Sequence, residues 1–265
     1  TPMHTIRPAA VAGQFYPAEA DLLQHQLDDM LAQPPLALDE PPRAIIVPHA
    51  GYPFSGEVAG AAYASLKRFH DQYDRVVLLG PAHRTYVRGL AVPRAGFFST
   101  PLGDIPIDEV EVKALSGQPE VVFSDEAHAE EHSLEVQLPF LQRVLDKFRL
   151  IPVAVGDTDP ETVQPIIRRY WDKARTLIVL STELSHYLDY DSAVRLDELT
   201  GEAIEHMEPE RIGEAQACGR VPLRALLKLA RQHHARVSTV AMANSGDTAG
   251  PRDRVVGYGA WLVSG

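Results

Sequence analysis

Ile45-Ile46-Val47-Pro48-His49-Ala50-Gly51-Tyr52 decides the fold. Its first three residues are aliphatic, with no polar residue between them. A strand with one solvated face alternates apolar and polar residues. An unbroken aliphatic run reads instead as a strand covered on both faces, the usual state of a parallel sheet flanked by helices. Val76-Val77-Leu78-Leu79 and Leu177-Ile178-Val179-Leu180 read the same way. Each run leads into a histidine. Pro48 precedes His49, Gly80-Pro81-Ala82 precedes His83, and Ser181-Thr182-Glu183-Leu184-Ser185 precedes His186. Ligands of open α/β sheets bind beyond the carboxyl ends of the strands, so the three histidines are expected at one sheet edge. With 11 His in the chain, three strand-end windows of about five residues would each hold one by chance on the order of 1% of the time, which favours a shared site.

Outward from these runs, further strands are expected at 43–47, 75–79, 89–92, 149–154, 176–181, 236–242 and 255–263. Helix-period segments lie at 19–32, 55–69, 108–115, 131–146, 160–171, 189–207 and 222–233. Strands alternating with helices predict βαβ units, a mostly parallel sheet and helices on both faces. The last run follows its predecessor through a Gly-rich loop with no room for a helix. It is therefore expected to be antiparallel, making the α/β sheet mixed. The proline-rich stretch from Pro34 to Pro42 is short enough to join elements rather than domains, so residues 1–265 are read as one domain.

Composition narrows the function. Hydrophobic residues make up 45% and charged residues 23%, enough for a core without disulfide staples. With 25 basic against 36 acidic residues the net charge is -11, which repels phosphate backbones and argues against nucleic-acid binding. Cys218 is the single cysteine, so no internal disulfide forms, and a reducing compartment is natural. It reads as structural or incidental. Residues 1–10 lack the apolar core of a signal peptide, and no run is long enough for a membrane helix. A cytoplasmic location is expected.

The chemistry-bearing residues extend beyond the three histidines. The run 236–242 leads into Asn244-Ser245-Gly246-Asp247. A carboxylate there, with two of the histidines, makes a facial triad of the kind that holds non-haem Fe(II) and leaves positions open. Zinc accepts the same ligand types. The competing reading of Asp247 is an Asx-turn residue. His132 and Glu135 share a helix face at i and i+3, a spacing that serves metal ligands in some bundles but that alone reads as an exposed helical pair. Tyr16, Tyr52 and His132 are the residues expected to line a substrate pocket. His233-His234 follows Lys228 and Arg231 near a helix end and reads as structural. No Walker A loop, dinucleotide G-x-G-x-x-G or G-x-S-x-G elbow occurs.

Several of these stretches together resemble the Memo family, whose bacterial and archaeal members are called AmmeMemoRadiSam system protein B. They are Val11-Ala12-Gly13-Gln14-Phe15-Tyr16-Pro17, Ile46 to Tyr52, Leu79-Gly80-Pro81-Ala82-His83, Glu131 to Phe140, Ser181 to Tyr187, and Asn244-Ser245-Gly246-Asp247. They run in family order over nearly the whole chain. The family is similar in structure to class III extradiol ring-cleaving dioxygenases. The resemblance implies that fold for this chain, with His49, His83 and Asp247 as metal ligands and Fe(II) as the ion, copper or zinc being alternatives. Animal members carry a cysteine at the Asp247 position. His186 would match the dioxygenases' acid/base histidine. The family usually has Asp in the Ser-Asp-Leu-Ser-His pattern. Here that place is held by Glu183, one methylene longer, which moves the carboxylate by about one C–C bond length. Animal relatives have been tied to iron or copper binding, redox signalling and phosphopeptide binding, and the prokaryotic name implies a link to AMMECR-like and radical SAM proteins.

Three functions follow as expectations. The first is a non-haem Fe(II) oxidoreductase of dioxygenase type acting on a small molecule, with His186 moving a proton and Glu183 tuning it. The second is a non-catalytic module that binds a peptide or phosphopeptide on the same fold. The third is a metal-dependent hydrolase in which His186 serves as base.

Overall fold

A computed structural model describes residues 5–265. The first four residues of the stretch read above for a signal peptide lie outside it. In chain order the elements begin with β1 (Ile6–Arg7), α1 (Ala20–Leu31), β2 (Ala44–Val47), α2 (Tyr52–Ala64), β3 (Arg75–Pro81), β4 (Leu90–Val92), β5 (Phe97–Thr100) and β6 (Gly103–Pro106). Then come α3 (Glu109–Leu115), β7 (Val121–Phe123), α4 (Glu126–Ala129), α5 (His132–Glu135), α6 (Leu138–Val144), β8 (Arg149–Val155) and α7 (Pro160–Trp171). The chain closes with β9 (Thr176–Ser181), β10 (His186–Leu188), α8 (Tyr190–Glu205), α9 (Arg220–Gln232), β11 (Arg236–Asn244) and β12 (Val255–Ser264).

The large sheet runs β10-β12-β2-β9-β3-β8-β4-β7, with β11 paired to β12. The four strands β2, β9, β3 and β8 are mutually parallel, and they hold the aliphatic runs. Every residue of β2 and β9 is buried, as expected for strands without polar alternation. β12 is antiparallel to both β2 and β11, so the sheet is mixed in the way the missing helix predicted. β4 is also reversed, against β8. Helices α1, α2 and α6 pack on one another, with α2 against β2, while α7 packs on α9 and β9. The chain is thus an α/β protein with a mixed sheet: its four central strands are parallel, as expected, while the pairings toward its edges are mostly antiparallel, so the sheet as a whole is less parallel than the aliphatic runs predicted.

Two differences from the sequence reading have clear causes. The segment 131–146 is two short helices, not one. Pro139 lies in the first turn of α6 and has no N–H to continue the ladder from α5. A separate three-stranded sheet, β1-β5-β6, was not expected. Its strands hold two to four residues, too few to show a period. Helix starts follow the capping rules: the side chains of Asp108, Asp159 and Asp189 accept from the backbone N–H groups of Glu111, Thr162 and Ser192. No helix of the described residues is long and apolar enough to cross a membrane.

Helix α2 begins three residues after His49, so its seating on the sheet bears on the site. It approaches α1 at two glycines. A Cβ on Gly60 would lie 2.4 Å from the Met30 carbonyl oxygen, and one on Gly56 2.4 Å from the Met30 sulfur. The sulfur can swing away; the carbonyl cannot. We expect Gly60→Ala to destabilise the protein by about 2 kcal/mol through overpacking, more than the roughly 1 kcal/mol that helix propensity returns. Gly56→Ala should cost clearly less. Urea denaturation of the two variants checks both the sign and the order.

Candidate metal centre

The parallel register brings the loops together. Val47 of β2 is paired with Ser181 of β9, and Leu180 of β9 with Leu79 of β3. The three strands therefore end side by side, and His49, Glu183 and His83 leave the sheet within one small region. His132 joins them from another direction, as the first residue of α5. Glu131 caps that helix by accepting from Ser133 N at 2.9 Å.

His49, His83 and His132 form one group, each offering a ring nitrogen within 4.8 Å of the others. The rings of His83 and His132 are stacked at 4.8 Å and 19°. His49 stands edge-on to both, at 5.3 Å from His83 and 5.5 Å from His132. His132 is thus not the exposed half of a helical pair. Its Nδ1 is buried and has no hydrogen-bond partner, although Glu131 Oε2 lies 3.7 Å away.

The other two rings have their Nδ1 atoms engaged. His83 Nδ1 is 2.9 Å from Glu131 Oε2, and His83 N also donates to Glu131. Burial alone would raise the Glu131 carboxyl, but the hydrogen bonds from His83 and Ser133 outweigh it and hold it down at about 2. An ionised carboxylate only accepts, so His83 carries a proton on Nδ1, and Nε2 is the nitrogen its neutral form would offer to a ligand. His49 Nδ1 lies 2.8 Å from Ser181 Oγ. That hydroxyl gives its one proton to the Ser133 carbonyl at 2.7 Å and accepts from Gln137 Nε2 at 3.0 Å. His49 therefore also donates from Nδ1 and keeps its lone pair on Nε2. Burial, then the neighbouring His83 and His132, hold His49 well below the ordinary imidazole range. Burial, then His83, brings His132 down to about 4. Both rings are neutral at pH 7, the form that binds metal ions.

Around Nε2 of His49 sit a carboxyl and a thiol. Glu183 is 6% exposed, accepts from His49 N at 3.3 Å, and places Oε1 3.8 Å from His49 Nε2. Burial pushes this acid up to about 8, against the pull of the His49 N–H. Cys218 Sγ lies 3.6 Å from His49 Nε2 and accepts from Glu183 N at 3.2 Å. Burial, then Glu183, pushes the thiol up to about 12, so it is not an activated nucleophile. His186 opens β10 at the exposed rim, where partial burial and the nearby His83 lower its pKa.

Asp247 is not brought into the histidine group. It closes a 3-10 turn, Ser245–Asp247, with Oδ1 accepting from the Tyr190 hydroxyl at 2.6 Å and Oδ2 from Asn244 N at 3.0 Å. That is the turn role, and it commits both carboxylate oxygens to Tyr190 and Asn244. Being next to a strand end fixed the position of the residue but not the partners of its side chain. Tyr16 and Tyr52 are buried, and their hydroxyls are committed to Glu135 Oε2 and the Val136 carbonyl, each at 2.7 Å. Tyr52 also borders a separate cavity of about 540 Å³ with Phe54 and Asp247. Phe15, which no sequence signal singled out, packs on His132 at 4.7 Å. Glu131 and Gln137 were visible within the 131–140 stretch but carried no role. Cys218 had no local signal, being 169 residues from His49.

The Memo-like protein family matches residues 7–262. The chain belongs to the Memo family. Similar relatives include a MEMO1 family protein of Ignicoccus hospitalis, 35% identical over 96% of this chain and 97% of its own length. Those of Methanocaldococcus jannaschii and Thermotoga neapolitana are each 33% identical, over 98% of this chain and all of their own length. Among solved structures, an uncharacterized protein of Escherichia coli K12 is similar in fold, with a TM-score of 0.50 and 11% identity, covering 81% of this chain and 98% of that one. Membership of the Memo family accounts for the order of the stretches from Val11 to Asp247.

Glu183 makes a pH-dependent contribution of definite sign. Unfolded, its carboxyl ionises near 4.5; folded, only near 8. Between those values the unfolded chain releases a proton that the folded protein retains, so stability falls as pH rises through this window. In metal-free, chelated protein, Glu183→Gln should nearly match wild type at pH 4.5 and exceed it at pH 8 by about 4 kcal/mol. Urea denaturation at the two pH values reads the difference. Equal curves at both would contradict it.

Proposed function

We propose that His49, His83 and His132 hold a divalent metal ion and that this Memo family protein is a metal-dependent oxidoreductase, with Fe(II) as its ion. The observation that carries the proposal is the convergence of the three imidazoles, two with Nδ1 protons tied down and the third with a buried, unpartnered Nδ1. A buried nitrogen without a partner costs on the order of 1–3 kcal/mol, which a ligated ion would recover. The donor set fits such an ion: imidazoles oriented through Nδ1, one by a carboxylate and one by a hydroxyl, are the outer-shell arrangement of metal-binding histidines. When bound, the ion would supply Lewis acidity and open positions for substrate.

The chain's own groups do the rest. Glu183, protonated at neutral pH, is a buried acid beside His49 that can give up a proton within the site. His186 stands at the rim, where a neutral imidazole can take a proton from an incoming ligand and pass it to solvent. Burial of His49 and Glu183 keeps water from the inner side.

One observation favours a second reading. No carboxylate is in the group, and three histidines without one are also a zinc set that activates water. A hydrolase is therefore the rival, and a peptide-binding module would need no ion at all.

The experiment is metal analysis of freshly purified protein beside two variants. His132→Ala should lose most of the bound metal, while Asp247→Ala should retain it. The reverse order would overturn this ligand set, and binding of peptide that survives both His132→Ala and chelation would favour the module. Oxygen uptake by Fe(II)-loaded protein with a catechol panel, against turnover of ester or amide substrates by Zn(II)-loaded protein without oxygen, then separates oxidoreductase from hydrolase.

A further inference from the structure

The short helix that begins with His132 ends with Glu135, whose carboxylate has no part in the histidine group. It is 1% exposed. Oε1 accepts from Arg7 Nη1 at 2.5 Å and from Ala10 N at 2.7 Å. Oε2 accepts from Val11 N at 2.9 Å and from the Tyr16 hydroxyl at 2.7 Å. Four donors use the acceptor sites of this carboxylate, so it is not free to ligate. All four lie in one stretch, Arg7 to Tyr16, and its guanidinium reaches further. Arg7 Nε donates to the His128 carbonyl at 2.8 Å and Nη2 to the Glu131 carbonyl at 3.0 Å, on the residues that lead into α5.

The stretch is also held by the burial of Val11 and Tyr16 in the core and by Tyr52 N, which donates to the Phe15 carbonyl at 2.8 Å. Its only strand is two residues long. Within it the chain folds on itself: Phe15 N donates to the Val11 carbonyl at 2.9 Å and Gly13 N to the Tyr16 carbonyl. The turn presents Phe15, whose ring lies 4.7 Å from the His132 ring at 30°. His132 also stacks on His83. The imidazole thus packs against two rings, one of which is delivered by the arm that Glu135 fastens.

We propose that Glu135 is a positioning residue for the metal site: it fastens the amino-terminal arm, Arg7 to Tyr16, so that Phe15 packs against His132 and holds that imidazole beside His83. The proposal rests on the reading that His132 is a ligand, and it adds that an arm remote in sequence sets the ligand's orientation. Glutamine at 135 keeps the volume but puts an amide donor where only acceptors fit.

The test uses the full chain labelled with ¹⁵N-histidine, without metal and then titrated with Co(II). Phe15→Leu defines the shift of the His132 ring signals when the aromatic wall is lost. In chelated protein, Glu135→Gln should move those signals in the same direction, leaving the exposed His25 and His206 in place. With Co(II) it should weaken binding by about tenfold or more, as losses of outer-shell support do, and alter the Co(II) absorption bands. Arg7→Met removes the cationic donor from the other side and should act the same way. It decides the matter if Glu135→Gln does not fold. A folded Glu135→Gln or Arg7→Met protein of lowered Tm whose His132 signals and Co(II) spectrum match wild type would overturn the proposal, leaving Glu135 a purely structural bond. Failure of wild type to bind Co(II) would instead defeat the metal reading, and the ring signals of the chelated protein would then judge the arm alone.

Discussion

Parallel pairing of β2, β9 and β3 in one register is the constraint on which the site depends. Because Val47 faces Ser181 and Leu180 faces Leu79, the three chains leave the sheet at nearly the same level. Helical crossovers make such a pairing possible only when both faces are covered, and the aliphatic runs satisfy that requirement. The region just past the strands is therefore dry on its inner side. Side chains placed there are desolvated before any chemistry is considered.

Desolvation then sorts the protonation states. His49 and His132 stay neutral because a charge in that region has nowhere to be solvated and meets other imidazoles. The same burial keeps Glu183 protonated, while Glu131, equally buried, is ionised because two N–H groups and an imidazole serve it. Two glutamates within the same few ångströms of histidine thus have opposite charge states at neutral pH. The difference comes from donors: Glu183 has the His49 N–H at 3.3 Å, and Glu131 has a network. An acid and a fixed base-orienting anion result from one residue type.

Much of the architecture was legible because aliphatic runs and strand–helix alternation are local signals. The order of the longer strands and helices, the antiparallel last strand and the positions of His49 and His83 followed from them. What escaped was decided at long range or in few residues. The small sheet has strands too short to show a period, and the break between α5 and α6 turned on Pro139 alone. Within the site, the spacing in His132-Ser133-Leu134-Glu135 gave the shared face but not what that face meets. Glu135 meets Arg7 across 128 residues, and His132 meets two histidines from other loops. Asp247 shows the converse: its loop position was readable, its side-chain partners were not, and the local turn bonds won.

The hydroxyl of Ser181 has a wider meaning than its size suggests. It has a single hydrogen, and the Ser133 carbonyl, which can only accept, claims it. That leaves His49 no choice about which nitrogen bears hydrogen and which is bare. A peptide carbonyl at the start of one helix thereby dictates, through one side chain on a neighbouring strand, the chemical identity of an atom facing the site. The information is carried by hydrogen-bond polarity rather than by charge, so added salt would leave it intact. Nor does it need a shift in pH to be set. It is written once, when the sheet and the helix close on each other.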